Sequence, residues 1–247
     1  EQEYDELNFA IKYFQDTMMR VRHSAIPVVA GPHGLTLGGG CELTMHSDAA
    51  MCAAETYIGL VEVGVGVIPG GGGTKEFALR ASDSYYQGDP QIPTLQEKFV
   101  NIATAKVATS AKEGFDVGVL DAAKDVVVIN SARVMAEAKQ KVIELADAGY
   151  VQPPHREDIT VLGRTGLGPF YAGSMGFHLG AYASEHDLKI ANKLAWVLCG
   201  GDLNQPTQVS EQYLLDLERE AFLSLCGEKK TLERLQSILT TGKPLRN

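Results

Sequence analysis

Two glutamates stand in glycine-rich surroundings where a carboxylate could act as an acid or a base. Glu42 follows a triplet, Gly38, Gly39 and Gly40, in "LGGGCEL", and falls in the first turn of a predicted helix. Glu62 lies in "GLVEVGVGVIPG", whose other residues are apolar or small. A carboxylate in such a stretch costs more free energy than one on the surface, which favours a functional role for Glu62. Glu42 is ambiguous, because the helix dipole favours an acid in the first turn whatever its role.

The glycine triplet needs its own explanation, since glycine is a poor helix former. One interpretation is a tight turn that packs the helix closely against the preceding strand. The other is chemical: Gly39 and its neighbours leave backbone N–H groups bare at a helix N-terminus, where they attract an anion or a developing oxyanion. The triplet by itself leaves both interpretations open.

A second glycine-rich loop, Pro69 with the glycines at 70–73, precedes a predicted helix. A dinucleotide loop requires G-x-G-x-x-G, and Pro69 replaces the third glycine of the pattern that Gly64 and Gly66 begin. A phosphate loop requires G-x-x-x-x-G-K-[ST], whereas "GGGGTK" reverses the lysine and the threonine. The loop is therefore not predicted to bind a nucleotide.

Apolar periodicity divides the chain into an α/β part up to about residue 130 and a helical part after it. Strands are predicted at residues 26–30, 49–53 and 126–129. Helices are predicted at residues 5–22, 41–46, 74–80, 95–104, 131–148, 178–200, 210–225 and 230–240. A segment rich in Gly and Pro, residues 149–176, is predicted to be an ordered connector.

Composition excludes several classes of protein. The 247 residues carry a net charge of −9, which argues against a general nucleic-acid binder. No apolar run is long enough to span a bilayer. The cysteines have no metal-site spacing, which predicts reduced thiols in a cytoplasmic type of compartment and no metal. The four cysteines are Cys41, Cys52, Cys199 and Cys226.

Residues 26–74 resemble the crotonase, or enoyl-CoA hydratase/isomerase, family. The family pattern is A-x-x-G-x-x-x-G-G-G-x-E-L, a C-D or S-D pair, and G-x-x-E-x-x-x-G-x-x-P-x-x-G-G-T. The positions of this chain that match it are Gly31, Gly34, Gly38, Gly39, Gly40, Glu42, Ser47, Asp48, Gly59, Glu62, Gly66, Pro69, Gly72, Gly73 and Thr74. One departure is Val61, where many members have proline before the second glutamate.

The resemblance implies an α/β fold, the crotonase-like (ClpP-type) spiral of ββα units with a helical C-terminal region. Residues 1–130 would be the C-terminal part of the crotonase core, and residues 131–247 the helical region with its connector. That region resembles the hydratase part of bacterial fusion proteins that also carry a 3-hydroxyacyl-CoA dehydrogenase. Strands that precede this segment in the family would belong to an N-terminal part missing from this chain.

The resemblance also implies a mechanism, the hydration of a trans-2-enoyl-CoA. By family position Glu42 activates a water molecule and Glu62 delivers a proton to Cα. The Gly39 N–H would hold the thioester oxygen, with Gly38 and Gly70 as further substrate-binding residues. A second N–H donor would lie upstream of Glu1. Isomerases of the family generally keep only the second carboxylate, so the presence of both favours a hydratase.

The expected partners follow from the same resemblance. Acyl-CoA is the substrate, and an oligomer without nucleic acid or membrane span is expected. No cofactor is expected here, since NAD would belong to an absent dehydrogenase domain. Two alternatives remain, another crotonase-type reaction such as isomerisation or thioester hydrolysis, and a non-catalytic acyl-CoA-binding scaffold. Lys229, Lys230 and Arg234 are predicted to form a solvated helix face.

Overall fold

A computed structural model describes residues 3–247. The helices are α1 Tyr4–Arg22, α2 Gly39–His46, α3 Gly73–Asp83, α4 Gln91–Ala103, α5 Ala111–Val117, α6 Val134–Asp147, α7 Arg164–Leu179, α8 Glu185–Leu198, α9 Glu211–Cys226 and α10 Lys229–Thr241. The strands are β1 Val29–Ala30, β2 Leu35–Leu37, β3 Ala49–Ala53, β4 Tyr57–Gly59, β5 Val126–Val128, β6 Ile159–Val161 and β7 Thr207–Val209. Short 3₁₀ turns span Glu62–Val65 and Ser131–Arg133.

The chain forms two compact units, each assembled from separated segments. The strand unit contains residues 13–60 and 106–155. The helical unit contains residues 61–105 and 156–247 with the described part of residues 1–12. Both units therefore combine residues from before and after position 130, and the assignment of residues 1–130 to the family core stays a prediction.

The strand unit is built from ββα turns. β1, β3 and β5 form one parallel sheet, and β2 and β4 form a second parallel pair. β1, β2 and α2 make one turn, and β3 and β4 begin the next, so that each turn adds one strand to each sheet. All five residues of β3 are buried, as expected for a central parallel strand covered on both faces. Its core cluster includes Met51, Val128 and Val134.

The helical unit surrounds its core with α3, α4, α7, α8, α9 and α10, and β6 and β7 form a small antiparallel pair. The largest apolar side chains of its core, including Phe77, Ile190 and Leu214, are almost fully excluded from solvent. A buried polar cluster lies among them. The Lys75 ammonium contacts the Glu76 carboxylate at 2.7 Å and the Glu211 carboxylate at 3.0 Å.

Several predicted elements are confirmed and several are wrong. The strand at 49–53 is β3, and the helices at 5–22, 210–225 and 230–240 agree with α1, α9 and α10 within two residues. The strand at 26–30 shortens to Val29–Ala30. The strands β2 and β4 were not predicted, because each has only three residues, too few for a periodic apolar pattern.

The predicted connector 149–176 contains β6 and most of α7, and the helix predicted at 178–200 begins only at Glu185. The glycines of α7 suggested a loop. A Cβ on Gly166 would lie 3.3 Å from the Cys199 sulfur, so this glycine serves close packing, whereas a Cβ on Gly168, Gly173 or Gly176 would meet open space. A capping box between Ser184 and Asp187 starts α8, and the S-x-x-D spacing could have indicated it.

Candidate active site

The glycine triplet connects β2 to α2 in the strand unit. β2 and β4 run parallel with Leu37 opposite Gly59, and the Gly38 N–H donates to the Gly59 carbonyl at 2.9 Å. Gly38 has φ 54° and ψ −121°, a conformation that requires glycine. The triplet thus turns the chain at the carboxyl end of a strand and starts α2 there. The Gly38 N–H is used by the bond to Gly59, so what Gly38 contributes here is the backbone conformation of the turn.

Gly39 is the first residue of α2, so its N–H has no acceptor within the helix. A Cβ at Gly39 would lie 3.1 Å from Cζ of Phe14 on α1. The glycine therefore permits a close approach of helix α1, whereas the packing interpretation of the triplet expected the preceding strand as the close partner. The chemical interpretation is compatible with this approach, since the Gly39 N–H belongs to the positive end of the helix dipole.

Glu42 lies in the first turn of α2 and is only 1% exposed. Its backbone carbonyl accepts a hydrogen bond from Nδ1–H of His46 at 2.7 Å. Cys41 beside it is fully buried. A buried carboxylate at a helix N-terminus is stabilised as an anion by the dipole, which is the state that a general base requires.

Asp48 anchors the strand that follows α2. Its Oδ2 accepts the Val28 N–H at 2.8 Å, and the Tyr150 hydroxyl donates to its Oδ1 at 3.1 Å. Burial and the Asp48 carboxylate raise the pKa of Tyr150 to about 12. The S-D pair of the family motif is thus structural here, fixing the start of the segment that carries β3.

Glu62 begins the 3₁₀ turn Glu62–Val65 in the helical unit. The residue is half-buried, and its Oε2 is screened from solvent. The turn ends at Gly66, whose φ of 98° requires glycine. Helix α10 holds this turn from outside, since Arg234 donates to the Val63 carbonyl at 3.3 Å and Thr231 to the Gly66 carbonyl at 2.8 Å.

Backbone N–H groups at the end of the second glycine-rich loop and the start of α3 bind a carboxylate from elsewhere in the chain. Glu218 on α9 accepts N–H groups of Gly72 at 2.6 Å, Thr74 at 2.9 Å and Lys75 at 3.2 Å. The N–H groups at the N-terminus of α3 are therefore bonded to a carboxylate of the same chain. Gly70 lies against the Phe222 ring, where a Cβ would come within 2.8 Å. Its role in substrate binding stays a prediction.

A cavity of about 470 Å³ lies within the helical unit. One wall is Val63 and Gly64, the residues directly after Glu62, and aromatic side chains such as Phe99, Phe170 and Phe177 form others. Its size falls in the range of small-molecule sites. The Ser174 hydroxyl at this cavity is buried and has no hydrogen-bond partner among residues 3–247.

The prediction that Lys229, Lys230 and Arg234 form a solvated face is wrong for Arg234. Lys229 and Lys230 are on the surface, whereas Arg234 is 1% exposed and pairs with Asp187 at 2.8 Å. Thr231, Arg234 and Glu218 are the supporting residues that sequence reasoning missed. Their partners lie more than 140 positions away along the chain, and no local spacing signals such pairs.

Three of the four cysteines are buried. Residues 3–247 contain no cluster of three or more His, Cys, Asp or Glu side chains that could hold a metal ion. Burial raises the pKa of Cys52 and of Cys199 to about 12, so both are poor nucleophiles. None of the helices within these residues has the length and apolarity to cross a membrane.

Comparison with known proteins shows what this chain is similar to. The family model described as enoyl-CoA hydratase/isomerase matches residues 2–84. The chain is 45% identical over 242 residues to the "Probable 3-hydroxyacyl-CoA dehydrogenase" of Bacillus subtilis (strain 168), covering 98% of this chain and 30% of that protein. It is 31% identical over 134 residues to a peroxisomal fatty acid beta-oxidation multifunctional protein of Arabidopsis thaliana, covering 53% and 16%. The chain thus spans less than a third of the length of either relative.

The fold is also that of a solved hydratase. The crystal structure of enoyl-CoA hydratase from Bacillus halodurans superposes with a TM-score of 0.57 at 15% identity, covering 96% of this chain and 70% of that one. This likeness confirms the predicted crotonase-like α/β fold. The motif residues Gly39, Glu42 and Glu62 lie within residues 2–84, the part of the chain that matches the model of the crotonase, or enoyl-CoA hydratase/isomerase, family.

Proposed function

We propose that this chain is the enoyl-CoA hydratase portion of a longer fatty-acid β-oxidation enzyme. The observation that carries the proposal is that both family carboxylates are present and each is held by a defined element. Glu42 is buried in the first turn of α2, one turn from the Gly39 N–H. Glu62 begins a 3₁₀ turn that α10 supports. A structural scaffold would not need two such carboxylates in costly surroundings.

The proposed reaction adds water across the double bond of a trans-2-enoyl thioester. Glu42 accepts a proton from water as the water oxygen bonds to Cβ. The electron pair of the double bond moves toward Cα and the thioester oxygen, where the Gly39 N–H stabilises the negative charge. Glu62 then transfers its proton to Cα. The proton gained by Glu42 and the proton lost by Glu62 exchange with solvent to reset the site.

The cavity supports an apolar acyl group as the part of the substrate beyond the thioester. Its aromatic walls begin directly after Glu62 in sequence. Burying each CH₂ group of an acyl chain there would contribute about 0.8 kcal/mol. The substrate class is therefore proposed to be an acyl thioester of coenzyme A. We assign no cofactor to this segment, and NAD would act in a dehydrogenase part.

The proposed setting is a multifunctional polypeptide in the cytoplasm. Both relatives are longer than this chain, and their names describe a dehydrogenase and a multifunctional β-oxidation protein. The second oxyanion donor is proposed to lie upstream of Glu1 in that polypeptide. The buried thiols Cys41, Cys52 and Cys199 support a reducing compartment, and association into an oligomer remains part of the proposal.

The test uses the full-length polypeptide with three substrates and product identification by mass spectrometry. A trans-2-enoyl-CoA reports hydration, a cis-3-enoyl-CoA reports isomerisation, and a saturated acyl-CoA reports thioester hydrolysis. The proposal predicts 3-hydroxyacyl-CoA from the first as the fastest reaction. Isomerisation or hydrolysis without hydration would replace it with another crotonase reaction. Binding of all three without turnover would identify a scaffold.

A further inference from the structure

The 3₁₀ turn that carries Glu62 has little strength of its own. Its backbone hydrogen bonds include Gly64 N–H to the Val61 carbonyl at 2.9 Å and Gly66 N–H to the Val63 carbonyl at 3.1 Å, and 3₁₀ hydrogen bonds have poorer geometry than those of an α-helix. Two residues of α10 supply contacts at its two ends, Arg234 at the Val63 carbonyl and Thr231 at the Gly66 carbonyl. Both side chains are excluded from solvent. The position of Glu62 therefore depends on a helix that lies more than 160 residues later in the sequence.

Thr231 connects the turn to His186 on α8. The Thr231 hydroxyl donates its hydrogen to the Gly66 carbonyl at 2.8 Å, so its oxygen must accept from His186 Nε2 at 2.8 Å. The imidazole is therefore the tautomer with hydrogen on Nε2. Burial and the nearby Arg234 charge lower the pKa of His186, which keeps the ring neutral. Gly66 also touches the Thr231 backbone, since a Cβ there would lie 2.9 Å from Thr231 Cα.

Arg234 is fixed by the first turn of the same helix α8. Its guanidinium pairs with Asp187 at 2.8 Å and contacts the Ser184 hydroxyl at 3.3 Å. Ser184 and Asp187 are also the capping box of α8. Burial would raise the pKa of Asp187, but its hydrogen bonds with Ser184 and Arg234 lower it, so the pair is ionic.

We infer that Thr231 and Arg234 are positioning residues for Glu62, in a relay that starts at the N-terminus of α8. The inference rests on the proposed function, since it gives Glu62 a proton to deliver. A reacting group displaced by about 1 Å can lose 10²-fold in rate, whereas substrate binding elsewhere is little affected. Loss of the Thr231 contact therefore lowers kcat while KM changes little. Arg234 also lines the cavity, so loss of its contact lowers kcat and changes KM as well.

The experiment removes the Thr231 hydroxyl in the full-length polypeptide. Thr231→Val keeps the side-chain shape and deletes both hydrogen bonds, and Thr231→Ser retains the hydroxyl. Thr56→Val is a matched control in the strand unit, since Thr56 is also fully buried and donates to the Ala53 carbonyl at 2.7 Å. Melting temperature, kcat and KM for hydration are measured for all three at a temperature where each is folded.

We expect Thr231→Val to lower kcat by about 10- to 100-fold with KM nearly unchanged. Thr231→Ser should restore most of kcat. Thr56→Val should lower the melting temperature comparably and leave kcat near that of the wild type. Equal kcat losses in Thr231→Val and Thr56→Val, or no rescue by serine, would overturn the inference.

Arg234→Lys provides a second route if Thr231→Val does not fold. Lysine retains the charge opposite Asp187 but lacks the planar fork that lets one side chain reach both Asp187 and the Val63 carbonyl. A lower kcat is expected, together with a change in KM because Arg234 also lines the cavity, and an unchanged kcat would overturn the role of Arg234. If the wild-type polypeptide does not hydrate the substrate, the proposed function fails. If the wild type is active and both variants hydrate at the wild-type rate, the inference about Thr231 and Arg234 fails while the proposed function stands.

Discussion

At the scale of single residues, Glu42 and Glu62 are proposed to perform different parts of the reaction. Glu42 activates water, which a double-bond isomerisation does not need. Glu42→Gln in the full-length polypeptide should therefore reduce hydration by about 10²–10⁴-fold and spare any isomerisation of a cis-3-enoyl thioester. The two rates are measured on the same preparation. A parallel fall of both rates would show that the proposed division of labour is wrong.

His186 gives the stability of the protein a predictable pH dependence. Its pKa is lowered in the folded state by burial and by Arg234, so the unfolded chain binds the proton more readily. As the pH falls below about 6.5, the ordinary histidine pKa, the free energy of unfolding should decrease because of this residue. Above that pH the contribution is constant.

The measurement is denaturant unfolding of the wild type and of His186→Gln across pH 5 to 8. Glutamine keeps an N–H donor for Thr231 but does not titrate. The difference in unfolding free energy between the two proteins should shrink as the pH falls. A difference that is constant with pH would show that the pKa of His186 is not lowered.

At the scale of secondary-structure elements, the contact between α1 and the start of α2 can be tested directly. A Cβ at Gly39 would lie 3.1 Å from Phe14, whereas one at Gly40 would lie 3.5 Å from Thr36, an ordinary distance. Gly39→Ala should therefore destabilise the protein by about 1 kcal/mol through overpacking, and Gly40→Ala should be neutral or stabilising, since alanine favours a helix.

Phe14→Leu should relieve the crowding. In Gly39→Ala/Phe14→Leu the loss should be smaller than the sum of the single changes, with a coupling of about 0.5 kcal/mol or more. Unfolding free energies of the four proteins complete the cycle. Strictly additive effects would mean that Gly39 is needed for something other than the approach of Phe14.

What the sequence could predict at this scale depended on how local each signal was. The strand β3 is a continuous apolar run, and Gly39, Glu42 and Glu62 belong to a motif with fixed short spacings. Helix α7 was missed because its four glycines indicate a loop, and only at Gly166 does close packing, against Cys199, account for the glycine. The support that Arg234 gives to Val63 joins residues 171 positions apart, and a single sequence holds no sign of it.

At the scale of the whole molecule, the strand unit presents several strand edges, those of β1 and β2 among them. Among residues 3–247, β1 and β2 each pair with a strand on one side only, and Leu35 of β2 is 76% exposed. Such edges and apolar side chains promote association. We expect the isolated residues 1–247 to self-associate in sedimentation velocity experiments.

A charged residue on the edge should weaken this association. Leu35→Lys is expected to shift the isolated chain toward monomer, as lysine does on natural edge strands. Tyr86→Lys is the control, because Tyr86 is similarly exposed but lies in the loop between α3 and α4. A monodisperse wild-type monomer would contradict the prediction. If both lysine variants reduced association equally, the added charge rather than the strand edge would explain the effect.

The measurement that tests the central claim most directly is hydration of crotonyl-CoA by the full-length polypeptide in which both carboxylates are replaced. Glu42→Gln/Glu62→Gln keeps the side-chain shapes and removes both acid–base groups, and Glu55→Gln removes an exposed glutamate of the same unit as Glu42. We predict that the double variant loses at least about 10²-fold in hydration rate, while Glu55→Gln retains the wild-type rate. A double variant that hydrates crotonyl-CoA as fast as Glu55→Gln would contradict the assignment of Glu42 and Glu62 as the catalytic pair.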